Sequence, residues 1–111
     1  MADTFTLQVE AGATFDSISF EYLEDDEITP VPMTGWTAKL QIRETAEAEL
    51  TLEVIPTITV ATGLIEFAFT PTQTSLLTLP RYVYAVELTD TSGHVIRLIE
   101  GGVKVSPEVV R

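Results

Sequence analysis

The chain of 111 residues contains no cysteine. That excludes a disulfide framework and any thiolate metal site. It has a single histidine, His94, and only six basic residues against 17 acidic ones, for a net charge of −11. A lone imidazole with no second His or Cys cannot complete a zinc site or a nucleophile–base pair, so His94 reads as an exposed turn residue. The cations Lys39, Arg43, Arg81, Arg97, Lys104 and Arg111 are scattered along the sequence. They form no clustered stripe of the kind that nucleic acid or an anionic membrane requires. No apolar run approaches the ~20 residues needed to span a bilayer. Met1-Ala2-Asp3-Thr4 has neither the basic start nor the apolar segment of a signal peptide, and a chain made and kept in a cytoplasm is expected. The serines include no G-x-S-x-G elbow, and phosphate-loop and dinucleotide fingerprints are missing. The sequence therefore predicts no enzyme and no cofactor.

What is present is period-two alternation, nearly end to end. Phe5, Leu7 and Val9 alternate with Thr6, Gln8 and Glu10, as a half-buried strand does. After the small-residue turn Ala11-Gly12-Ala13, Ile18, Phe20 and Tyr22 form a second apolar row. Trp36, Ala38, Leu40 and Ile42 face one side of the clearest strand, with Thr37, Lys39, Gln41 and Arg43 on the other. A slip of one residue would exchange these faces, so its register is firmly set. Leu50, Leu52 and Val54, then Ile58 and Val60, then Ile65, Phe67 and Phe69 continue the inward rows. Thr70-Pro71 signals a helix start, with Thr capping free amides and Pro in the first helical position, for one short turn near residues 71–78. Tyr82, Tyr84, Val86 and Leu88 follow. The turn Asp90-Thr91-Ser92-Gly93 is hairpin chemistry, and Val95 to Glu100 with Val103 to Val105 complete the chain. The expectation is one all-β domain over residues 1–111. It is an immunoglobulin-like antiparallel β-sandwich of about seven to eight strands.

Residues 23–33 read as an acidic, proline-bearing loop whose end tucks Met33 inward. Its run Glu24-Asp25-Asp26-Glu27 could ligate calcium, but it lacks the alternating oxygens and central glycine of an EF-hand, and a solvated loop is the simpler reading. Residues 44–49 read as a loop too short to stand as a helix. Trp36 reads as core, with sugar stacking as the sharper alternative. Lys39, Arg43 and Arg97 read as cross-strand partners of glutamates, each worth at most ~1 kcal/mol.

Three segments together resemble a family of small tailed-bacteriophage proteins related to the N-terminal domains of baseplate upper proteins. They are Gly12-Ala13-Thr14-Phe15, Met33-Thr34-Gly35-Trp36 with the strand through Arg43, and the tail from Tyr82-Val83-Tyr84 to Pro107-Glu108-Val109. The chain departs from that family at Ala85, where an acidic residue is often found. The resemblance implies a non-enzymatic structural component of a phage virion, assembled in the host cytoplasm as a tail, baseplate or fibre-attachment module. A capsid decoration (cement) protein is the nearest alternative, and a carbohydrate- or calcium-binding β-sandwich module is the alternative of another class. Implied partners are other virion proteins and copies of itself in a homo-oligomer or symmetric ring, with no nucleic acid and no membrane. Apolar surface left over in a chain with 45% hydrophobic residues would then be covered by assembly. The expected contacts are Phe5, Leu7, Lys39, Arg43, Val109 and Val110, together with residues 23–33 and the terminal Arg111.

Overall fold

The computed structural model describes residues 3–107. The strands are β1 (Asp3–Thr4), β2 (Leu7–Glu10), β3 (Phe15–Glu21), β4 (Thr37–Arg43), β5 (Leu50–Val54), β6 (Thr57–Thr59), β7 (Leu64–Phe69), β8 (Arg81–Thr89) and β9 (Val95–Ser106). A four-residue helix, α1 (Pro71–Thr74), lies between β7 and β8. One sheet runs β1-β9-β8-β4-β5, with β2 also paired to β9; the other runs β3-β7-β6. All pairings are antiparallel except those of β1 and β2 with β9. The result is an immunoglobulin-like β-sandwich, as the alternation implies.

The core lies between the sheets. Leu40, Ile42, Val86, Leu88, Ile99 and Val103 from the larger sheet meet Ile65, Phe67 and Phe69 from the smaller, all buried. Each such side chain contributes about 1.5–3 kcal/mol by leaving water. Phe5, Phe20, Phe67, Phe69 and Phe15 form a continuous aromatic row, beginning with an edge-on Phe5–Phe20 contact at 5.4 Å. Met33 is buried as expected.

Several local expectations are adjusted by the packing. The first apolar row splits into β1 and β2, with Phe5 in the gap and 41% exposed. Leu7 is buried in the chain's own core, so it presents no assembly surface. Leu50 is turned outward by a register shift between Ile42 and Arg43, and Val60 is also exposed. Val95–Ser106 is one continuous strand, which joins the two runs that the sequence separates at Gly101-Gly102.

The crossing from β7 to β8 is held at two points. Thr70 and Gln73 form a capping box: the Thr70 hydroxyl accepts from the Gln73 amide at 3.2 Å, and the Gln73 side chain accepts from the Thr70 amide at 2.9 Å. The buried Thr74 hydroxyl donates to the Ala13 carbonyl at 2.7 Å, tying α1 to the β2–β3 turn. At the start of β8, Tyr82 accepts a 3.0 Å bond from the Leu79 amide. This is the tyrosine corner of immunoglobulin-like sandwiches, and it closes the turn that Pro80 begins.

Candidate functional site

On the larger sheet, inward and outward residues alternate strictly along β4 and β8, so Lys39, Gln41 and Arg43 project outward beside Arg81, Val83, Ala85 and Glu87. On β9 the register shift between Val86 and Glu87 inserts one residue. Arg97, Glu100 and Lys104 thereby share that outer face, opposite Glu87, Ala85 and Arg81 respectively. Five of the six cations, scattered in the sequence, are thus gathered on one face of three adjacent strands; Arg111 lies outside the described residues. The remainder of the described chain, including β3, β6, β7 and the loops joining them, carries no Lys or Arg.

At the centre of this face is an open groove of about 500 Å3. Its floor is low because the outward Ala85 carries only a methyl group; Gly101, an inward position opposite Tyr84, lines it through its backbone. Lys39, Arg43 and Ala46 line one side, and Glu87, Arg97 and Glu100 the other. Arg97 lies 3.7 Å from Glu87 and 3.6 Å from Glu100, so the expected cross-strand pairing holds for this residue. Arg43 is used differently. It donates to the Ala48 carbonyl and to the Gln41 side-chain oxygen, both at 2.8 Å, and Gln41 in turn donates to Glu53 at 2.6 Å. That relay pins the 44–49 loop over the groove edge and orients the Gln41 amide. Lys39 stands directly across from Glu87 but forms no ion pair among the described residues. Arg81 and Lys104 also face each other across strands, like charges with no carboxylate partner among the described residues.

The other candidates do not assemble into sites. Among the described residues, no three His, Asp or Glu side chains come together as a metal cluster. In the acidic run, the Asp26 carboxylate accepts from the Ile28 and Thr29 amides and the Thr29 hydroxyl. These bonds, that of the Thr29 hydroxyl foremost, hold its pKa below the usual value. Asp90 is engaged in the same way by Ser92 and the His94 amide, chiefly by the Ser92 hydroxyl, and its pKa is lowered too. His94 is exposed in that turn, as read from the sequence. Trp36 is half-buried against Tyr22, with ring centroids 6.4 Å apart, and packs on the core; it is not an open stacking platform. Of the expected contact residues, Lys39 and Arg43 meet at the groove, Phe5 lies partly exposed at the β1 edge, and Val109 and Val110 lie outside the described residues. Sequence reasoning missed Ala85 as the floor. The available signal was a small residue at an outward position flanked by charged strands.

No family model and no curated protein matches the chain. Among solved structures it is similar to CopC from Methylosinus trichosporium OB3b, at 12% identity and a TM-score of 0.48, over 95% of this chain and 89% of that one. The expectation of a phage virion component, in tail, baseplate or capsid, is corrected by these findings. That likeness is to CopC, which is not a virion protein.

Proposed function

We propose that the chain is a non-catalytic binding module whose ligand site is the groove on the outer face of the β1-β9-β8-β4-β5 sheet. One observation carries this reading. In a chain of net charge −11, the groove sets three cations against two carboxylates around a floor of Ala85 and the Gly101 backbone. Its volume of about 500 Å3 lies in the ordinary range of small-ligand sites. The lining chemistry selects a polar ligand bearing a carboxylate. Lys39 offers an ammonium group without an ion-pair partner among the described residues, Glu87 and Glu100 offer acceptors, and Val83 and Ala85 offer apolar contact. Both groove carboxylates hold Arg97, which leaves the face suited to recognition and not to proton transfer.

The test is an amide-detected NMR titration with two anionic probes, a short glutamate peptide and an oligogalacturonate. Shifts centred on Ala85, Glu100 and Gly101 are expected, lost in Ala85→Glu, which fills the floor from an outward position without entering the core. No groove shift with either probe would overturn the reading.

A further inference from the structure

We infer that the groove receives the acidic loop around Ile28 from a second copy of this chain. The inference rests on the groove being a ligand site, and it names the partner.

The loop is built to be presented. A backbone bridge between Leu23 and Pro30 closes its base. Inside it, the Glu24 amide donates to the Thr29 carbonyl and the Glu27 amide to the Glu24 carbonyl, both at 2.8 Å. Asp26 spends its carboxylate on the Ile28 and Thr29 amides at 2.9 and 2.8 Å. The shape is therefore fixed before any contact, which lowers the ordering cost of docking. Glu24, Asp25 and Glu27 remain exposed around Ile28, which is itself 80% exposed, the highest exposure of any large apolar residue described. A rigid apolar tip ringed by carboxylates has its complement on the same molecule. The groove supplies Lys39, Arg43 and Arg97 around Ala85 and the part-exposed Val83. Its two carboxylates, Glu87 and Glu100, are paired with Arg97, so that Lys39 is the cation left for the loop's carboxylates.

The two surfaces belong to different parts of the sandwich. The loop follows β3, beside the β6–β7 turn of the smaller sheet, where the Tyr22 amide donates to the Gly63 carbonyl at 2.8 Å. The groove faces outward from the other sheet. The contact is therefore between copies, head to tail, and a growing array keeps one free loop at one end and one free groove at the other. A net charge of −11 per copy opposes association at long range. At about 0.15 M salt the Debye length is about 8 Å, which screens that repulsion while leaving contacts inside the groove largely intact.

The experiment is sedimentation velocity of the full chain at low, about 0.15 M and about 1 M salt, with Lys39→Glu, the double variant Asp25→Lys/Glu27→Lys, and Ile28→Ser. Salt-dependent association strongest at the intermediate condition is expected, weakened about tenfold or more by each variant, since each breaks or reverses a groove contact. Mixing Lys39→Glu chains with the double loop variant should restore association, because the intact loop of the first meets the intact groove of the second and the reversed groove meets the reversed loop. Association that all three variants leave unchanged, or a wild type monomeric at every salt, would overturn the inference. In the monomeric case, groove shifts with the glutamate peptide would show that the binding-module reading survives and only its partner is wrong.

Discussion

The Tyr84 hydroxyl donates a 2.7 Å hydrogen bond to the Phe5 carbonyl, 79 positions earlier in the chain. This bond sits in the gap of the parallel ladder between β1 and β2, where the Phe5 amide still bonds to the Glu100 carbonyl at 3.0 Å. Tyr84 itself is only 3% exposed. The side chain thus does for the N-terminal edge what a ladder donor would otherwise do.

Removing that hydroxyl should leave a backbone carbonyl without its partner. Tyr84→Phe is expected to cost about 1–3 kcal/mol in urea unfolding, with faster amide exchange at Phe5 than in the wild type. Equal stability of the two proteins would show that water replaces the bond at no cost.

The same residue predicts an alkaline limit. Burial raises the Tyr84 pKa from 10.0 to about 12. Between these values the folded chain holds a proton that the unfolded chain has lost. Stability from this group is complete below pH 10 and falls as pH rises through about 12. Tyr84→Phe should lack this part of the slope, and the difference between the two pH–stability curves isolates it from the other tyrosines.

Gly101 lies opposite Tyr84 and directly against the Phe5 backbone. A Cβ at this position would stand 2.2 Å from the Phe5 carbonyl oxygen, so backbone must move. Gly101→Ala is expected to destabilise by about 1–3 kcal/mol and to raise amide exchange at Thr4 and Phe5, read by exchange mass spectrometry. Gly93→Ala, whose Cβ meets nothing within 4 Å, should leave that edge unchanged and act only through its φ of +89°.

At the other end of β8, Tyr82→Phe should strand the Leu79 amide at the sheet crossing. A loss of about 1–2 kcal/mol is expected from the unfolding midpoint at unchanged m-value. A changed m-value would mean that the corner also shapes the denatured state.

Asp90 should titrate below its ordinary value of 3.8 in carboxyl-detected NMR, because Ser92 and the His94 amide bond its charged form. Ser92→Ala removes the largest of these influences and should move the midpoint back up. The sign follows from the lowered pKa: whatever stability the group lends is present above 3.8 and lost as pH falls through the depressed value. An unmoved midpoint would assign the effect to the backbone amides.

Alternation along β4 and β8 was legible because sheet side chains have a strict period of two, and a mis-set register would expose Leu40, Ile42, Val86 and Leu88 to water. The Thr70-Pro71 cap was legible for a similarly local reason, although the helix is shorter than the residues after it imply. Ala85 was noticed as a departure from a family pattern, but its role as a groove floor depends on which strands flank it.

Sequence by itself determined an all-β sandwich with an acidic exterior, since local periodicity and composition act residue by residue. Only the tertiary structure decided that β1 and β2 run parallel to β9, that Leu50 turns out and Leu7 in, and that Lys39, Arg43, Arg81, Arg97 and Lys104 share one face. The physical reason is that strand order and the bulge on β9 are set by which apolar faces bury most together. Neighbours as far apart in the chain as Lys39 and Glu87, or Asp3 and Ile99, leave no local trace of that choice.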